Sequence, residues 1–178
     1  MYKEAIQDAI SMHELPSKWH SDILTEAKNI AGKKKMTKYR KDLRKFDFAT
    51  IDGEDAKDFD DAIYCHKTNN SFKLYVAIAD VSYYVTPGSK IDKEAQKRGT
   101  SIYFTETVIP MLPENLSNGI CSLRPDEDRC AIICEMSIGL DGKRNKYKFY
   151  GGLINSKERL TYNQVDKNLK KSSNFKHA

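Results

Sequence analysis

The sequence lacks most of the short patterns that announce a chemistry. It has no C-x-x-C pair, no glycine-rich phosphate loop and no G-x-S-x-G elbow. Their absence removes dithiol redox sites, zinc ribbons, P-loop nucleotide hydrolysis and the serine nucleophile of the α/β-hydrolase type. No apolar run approaches the ~18 residues that span a bilayer, so no membrane is expected as a partner. Histidine is sparse: His13, His20, His66 and His177 stand apart and suggest no nucleophilic triad. The four cysteines, Cys65, Cys121, Cys130 and Cys134, form no disulfide framework, and the opening MYKEAIQDAI has no apolar stretch of the secretion-signal kind. No disulfide partner is therefore expected, and the expected compartment is the cytoplasm. Cys130 and Cys134 fall in the apolar run CAIICEM, where thiols act as small core hydrophobes.

What is present suffices for a core. The chain has 178 residues, 31% of them charged, and a mean hydropathy of −0.66, which fits one well-solvated domain. Residues 1–12 read as a short helix with Ile6, Ala9 and Ile10 on one side. A second helix is predicted from Ser17, an N-cap after Pro16, with Trp19, Ile23, Leu24, Ala27 and Ile30 at helical spacing up to Gly32. Neither would stand alone in water. From Phe46 the pattern turns to strands: FDFATI, AIYC, FKLYVAIADVSYYV, RCAIICEMSIGL and KYKFYGGLI. NNS and DGK supply turns, and the last two strands form a hairpin. Leu74, Val76 and Ile78 alternate with Tyr75, Ala77 and Ala79, which predicts a central strand covered on both sides. SKIDKEAQKRG predicts a helix capped by Ser89 and stopped by Gly99. Pro110 and Pro113 predict a rigid loop, and a last helix begins at Thr161. The expected class is α+β: a mixed, mostly antiparallel sheet flanked by helices, with two N-terminal helices packed outside.

Charge is distributed unevenly. The whole chain is +5, yet the stretch TIDGEDAKDFDDA at 50–62 holds six carboxylates, Asp52, Glu54, Asp55, Asp58, Asp60 and Asp61, against Lys57 alone. Residues 33–45, KKKMTKYRKDLRK, carry eight cations against Asp42. That strip is either a solvated linker or a phosphate-contacting path into the neighbouring acidic stretch. Arg40, Lys41 and Arg44 are its candidate contacts.

Carboxylates ~4 Å apart repel by about 1 kcal/mol per pair in water and about 4 at an effective dielectric of 20. An acidic cluster is relieved by pointing its groups into solvent, by taking up protons, or by holding a divalent cation. A surface turn is the plain alternative. Three features favour a cation: flanking strands that hold the backbone, Gly53 beside Asp52 to permit a bend, and crowding among Asp58, Asp60 and Asp61. An EF-hand loop begun at Asp58 fails, since Ala62 and Ile63 occupy the third-ligand and glycine positions. All-oxygen ligands select magnesium, or manganese, over zinc or copper. Cys65 and His66 alone make a poor zinc site. Magnesium held by aspartates suits phosphodiester chemistry, without distinguishing RNA from DNA or nucleotides.

Several linked motifs carry a resemblance. TIDGEDAKDFDDAI, LYVAIADVSYYVTPGS, RGTSIYF, VIPMLPENLSNGICSL and YKFYGGLINSKERLTY follow in one order over roughly residues 40–165. Together they resemble the RNB catalytic domain of the ribonuclease II / ribonuclease R family, on its ribonuclease R side. The resemblance implies a processive 3′-to-5′ exoribonuclease that hydrolyses single-stranded RNA to nucleoside 5′-monophosphates with magnesium. It implies that Asp52 and Asp61 bind the metal with Asp58 in support, that Asp60 is catalytic near the scissile phosphate, and that Tyr103 stacks on a base near the 3′ end. Tyr83 stands where many relatives have histidine. It also implies a division into residues 1–45, N-terminal helices and basic connector, and 46–178, the N-terminal part of a longer catalytic domain. An open half-domain would expose apolar surface, so self-association is expected. The alternative function is a non-catalytic RNA-binding module that uses the strip at 33–45.

Overall fold

The runs with strand periodicity converge into one large sheet. The computed structural model describes residues 2–31, 38–105 and 107–172. Packing divides the chain into two units, Met1–Lys33 with Ser82–Gly119 and Lys34–Val81 with Ile120–Ala178. The sequence boundary at residues 45 and 46 falls inside the second unit.

The second unit is built on β1 (Lys41–Asp42), β2 (Ala49–Asp52), β3 (Asp61–Lys67), β4 (Ser71–Ala79), β7 (Asp128–Gly139), β8 (Arg144–Asn155) and β9 (Glu158–Thr161). They form a seven-stranded sheet in the order β1-β8-β7-β4-β3-β2-β9. The pairs within β2-β3-β4-β7-β8 are antiparallel, and β1 on β8 and β9 on β2 are parallel. This is the expected mixed, mostly antiparallel α+β arrangement. Short local turns explain the antiparallel part. Thr68 N donates to Ser71 O (2.7 Å) between β3 and β4, and Gly142 adopts φ +78° between β7 and β8, where other residues would be strained.

One face of this sheet is the core. Ala62, Tyr75, Ala77, Ala79, Ala131 and Ile133 are buried there under Leu43, Phe48, Phe59, Leu123 and Ile154. Small alanines on β3, β4 and β7 leave room for the rings of Phe48 and Phe59. Gly152 belongs to the same row, paired with Ala131, and a Cβ there would lie 2.6 Å from Ile133 Cγ1. Because Ile133 is fully buried, Gly152→Ala should lose about 1–3 kcal/mol by overpacking, read as a lower midpoint in urea.

The opposite face corrects one expectation. Ile78 is 47% exposed and Ile132, its neighbour on β7, 39%. β4 is central in the sheet, but its Leu74, Val76 and Ile78 side is left open. The strand also stops at Ala79 rather than running on through SYYV; Val81–Tyr84 turn into the short helix α3. Helix α5 (Tyr162–Ser172) starts where expected. Thr161 Oγ1 accepts from Gln164 N (3.2 Å) while Gln164 Oε1 accepts from Thr161 N (2.7 Å), a reciprocal capping box.

The first unit holds α1 (Tyr2–Met12), α2 (Ser21–Ala31), α4 (Lys90–Arg98) and a small hairpin of β5 (Ile102–Tyr103) and β6 (Val108–Ile109). Ser89 caps α4 by accepting from Asp92 N, and Gly99 ends it at φ 72°. Helix α2 begins four residues later than the sequence suggests, at Ser21 rather than Ser17. The buried Arg98 is the reason. Its guanidinium lies 3.5 Å from the Trp19 ring centroid, and its Nη2 donates to Lys18 O (2.8 Å), holding residues 18 and 19 out of the helix. The proline segment ends in a helical turn at Asn115–Ile120. No helix among the described residues is long and apolar enough to cross a membrane.

Candidate active site

The acidic stretch connects the end of β2 to the start of β3, so Asp52 closes one strand and Asp61 opens the next. Residues 53–60 are an irregular loop held from several sides. Phe59 is buried in the core cluster; its N donates to Ser122 Oγ (2.9 Å), and its O accepts from Leu123 N (2.8 Å). Ser122 Oγ donates in turn to Lys57 O (3.3 Å). Asp60 O accepts from Ala79 N (2.8 Å), which ties the loop to β4. With Phe59 turned inward, its neighbours Asp58 and Asp60 are directed outward by ordinary extended-chain alternation. That is the physical sense of the sequence D-F-D-D.

The other half of the loop hangs on Arg159 of β9. Arg159 Nη2 donates to Gly53 O (3.0 Å) and to Glu54 O, and its guanidinium lies 5.3 Å from the Phe59 ring centroid. Asn163 Nδ2 adds a bond to Glu54 Oε1 (3.1 Å), and Asp52 Oδ1 accepts from Gly53 N (2.7 Å). Sequence reasoning missed Ser122 and Arg159. Each lies more than 60 residues from some of its loop contacts, and only the register of β9 on β2 brings Arg159 close.

Asp60 is the hub of the cluster. Partial burial, then the fields of Asp58, Asp61 and Asp52, raise its carboxyl above the ordinary aspartate range. None of these four aspartates has an ion-pair partner among the described residues. Four acidic groups in one another's field without a cation fit a hard, oxygen-seeking ion. No three His, Cys, Asp or Glu side chains among the described residues form a ready-made cage, however. Magnesium does not require one: it is commonly bound through one or two carboxylates, with waters and substrate phosphates filling the rest. The zinc alternative fails, since Cys65 and His66 are consecutive on β3 and face opposite sides of the sheet.

Buried Cys121 lies in the field of the cluster. Burial, reinforced by Asp60, pushes its thiol up to about 12, whereas Cys65 is exposed. An aromatic disulfide reagent at mild pH should therefore modify Cys65 first and reach Cys121 and Cys130 only on unfolding. Rapid loss of Cys121 in the folded chain would contradict this packing.

The basic strip is placed differently from the expectation. Residues 33–37 lie outside the described residues. Arg40 is half-buried, ion-paired through Nη2 with buried Asp80, and its Nη1 donates to Ala131 O (3.3 Å). It is folded into the protein rather than presented to a phosphate. Arg44 is spent on Asp42 (2.6 Å) and Asp128 (3.0 Å), and Lys41 lies over the Tyr150 ring at 4.2 Å. Arg40, Lys41 and Arg44 are thus each engaged within the chain, which disfavours a module that works through these three cations. Tyr103, on β5, is 67% exposed.

Comparison with known proteins agrees with the sheet and the motifs. A family model described as RNB domain matches residues 40–178. Ribonuclease R of Vibrio parahaemolyticus is 49% identical over 162 residues, 89% of this chain and 19% of that protein. Ribonuclease R of Escherichia coli is 48% identical over 167 residues, 90% of this chain and 20% of that protein. The structure of Mycoplasma genitalium RNase R in complex with ribose methylated single-stranded RNA superposes with a TM-score of 0.88 at 36% identity, covering 94% of this chain and 27% of that one. The chain spans about a fifth of the length of these curated relatives.

Proposed function

Because this chain belongs to the RNB domain family, we propose that it carries the metal-binding carboxylates of a magnesium-dependent 3′-to-5′ exoribonuclease. The substrate is single-stranded RNA, hydrolysed processively to nucleoside 5′-monophosphates. The observation that carries this reading is Asp60, raised above its ordinary range among Asp52, Asp58 and Asp61 on a loop pinned by Phe59, Ser122 and Arg159. The RNA held by the Mycoplasma genitalium relative supports the substrate class.

In this reading Asp52 and Asp61 hold the metal ion, and Asp58 supports them directly or through water. Magnesium bound there would supply neutralisation of phosphoryl charge and a more acidic bound water. The protein's own contribution is proton handling and position. A carboxylate with raised proton affinity is the better general base, so Asp60 Oδ is suited to take the proton of the attacking water. The bonds from Ser122 and Leu123 fix Phe59, and through it the direction of both flanking carboxylates. Tyr103 offers an exposed ring for stacking on a base, an interaction worth about 1–3 kcal/mol that tolerates any sequence.

The test is a 5′-labelled single-stranded RNA incubated with the chain, with magnesium or with chelator. Stepwise shortening from the 3′ end that requires the metal is expected. Internal cuts, or shortening indifferent to chelation, would contradict the reading.

A further inference from the structure

Arg159 stands beside a loop of carboxylates and pairs with none of them. It lies on β9, next to a stretch that holds six acidic residues against Lys57 alone. Among the described residues it nevertheless has no ion-pair partner. Its Nη2 donates instead to two backbone carbonyls, Gly53 O (3.0 Å) and Glu54 O, and its guanidinium rests 5.3 Å from the Phe59 ring centroid. A cation placed for charge balance would meet a carboxylate. This one ties down the chain and leaves the aspartates free to meet another cation.

The carbonyls it holds belong to the joint that aims Asp52. Asp52 is the last residue of β2, and its Oδ1 accepts from Gly53 N (2.7 Å), so the carboxylate follows the Gly53 backbone. Packing does not fix that joint: Gly53 has no side chain, and a Cβ there would meet nothing within 4 Å. Glycine also has the most backbone freedom to lose. Besides Arg159, Gly53 O accepts only a long turn bond from Ala56 N (3.3 Å). The restraint therefore comes from β9, and the register delivers it. Arg159 pairs with Thr50, and Thr161 pairs with Asp52 itself. The first turn of α5 adds the bond from Asn163 Nδ2 to Glu54 Oε1 (3.1 Å).

We propose that Arg159 is a positioning residue for the metal site: by holding Gly53 and Glu54 it fixes the direction of Asp52 and so sets the affinity for the divalent cation. The inference rests on the reading of Asp52 as a metal ligand. Two effects of the side chain oppose one another. Its charge repels an incoming cation, so removing it favours binding by at most about fivefold, the scale of a solvent-screened charge pair. Its bonds to the carbonyls order the ligand in advance, and groups that orient ligands from outside the coordination shell carry about 10–100-fold in metal affinity. Positioning is the larger effect, and the net change on removing Arg159 is a loss of affinity.

Manganese titration, read by the free-ion spin resonance signal, tests this, with circular dichroism confirming that each variant is folded. Arg159→Met should bind manganese about tenfold more weakly than wild type. Arg159→Lys keeps a charge and a donor for the same carbonyls and should recover most of that loss. Gly152→Ala, strained in the core away from the loop, should bind as wild type does, so a general loss of stability does not imitate the effect. Hydrogen exchange in chelator gives a readout without metal: the Gly53 and Ala56 amides should exchange faster in Arg159→Met, while those of Leu74–Ala79 on β4 keep their protection. Manganese affinity unchanged or raised in Arg159→Met would overturn the proposal, as would a loss that Arg159→Lys does not recover. So would weaker RNA binding in chelator with manganese affinity intact, which would make Arg159 a phosphate contact. A wild-type chain that binds no manganese overturns the metal reading and this inference with it; wild-type binding that ignores Arg159 overturns the inference alone.

Discussion

Replacing Asp60 by Asn will leave the chain folded and lower RNA hydrolysis by about 10²–10⁴-fold, the range of a lost general base. RNA affinity will change by less than about fivefold, since one exposed charge is worth at most about 1 kcal/mol. Stability will move the opposite way from activity. Partial burial and the fields of Asp58, Asp61 and Asp52 raise the Asp60 carboxyl in the folded chain, so its ionised form is disfavoured there relative to the unfolded chain. That cost is present above the folded pKa and disappears as the pH falls through it. In chelator at neutral pH, Asp60→Asn should therefore melt above wild type. The gap should close on acidification. Thermal melts across pH check the stability claim, and the end-labelled RNA assay checks the rate. A variant that melts below wild type in chelator would mean that Asp60 holds the loop together rather than straining it.

The second large effect is structural. Asp80→Ala should destabilise the chain by about 3 kcal/mol, because it removes the buried carboxylate that pairs with the half-buried Arg40 guanidinium. Arg40 also donates to Ala131 O at 3.3 Å, and its side chain packs against Gly151, contacts that hold it in place beside Asp80. Replacing both partners by apolar residues, Arg40→Met with Asp80→Leu, should recover most of that loss, since removing a whole buried pair is often close to neutral. Asp42→Ala serves as the contrast. It breaks an exposed pair with Arg44 and should cost no more than about 1 kcal/mol. Urea denaturation of the four proteins separates the cases, and equal losses for Asp80→Ala and Asp42→Ala would refute the structural role given to the Arg40–Asp80 pair.

These two variants mark where sequence reasoning succeeded and where it stopped. The acidic loop was legible because its signal is local: six carboxylates between two strand-like runs, with Phe59 setting which way its neighbours point. The capping residues Ser89 and Gly99 and the β7–β8 hairpin were legible for the same reason. Arg40 was not, because a cation within a basic strip reads as solvated until β1 pairs with β8 and Asp80 is placed just past the end of β4. The start of α2 was displaced by Arg98, which is 80 residues from Lys18. Ser122 and Arg159 were invisible, since nothing in their own neighbourhoods links them to the loop. Exposed apolar surface was expected, but not which face carries it, because apolar alternation records that a strand has two apolar sides and says nothing of what covers each.

The account rests on the aspartate loop being a cation site, and metal binding by the chain itself is the direct measurement. Manganese titrated into the chain, followed by the loss of its free-ion spin resonance signal, should show saturable binding that magnesium displaces and that Asp61→Asn weakens. Signal loss that does not saturate, or that is the same in wild type and Asp61→Asn, would contradict the assignment of these carboxylates to a metal.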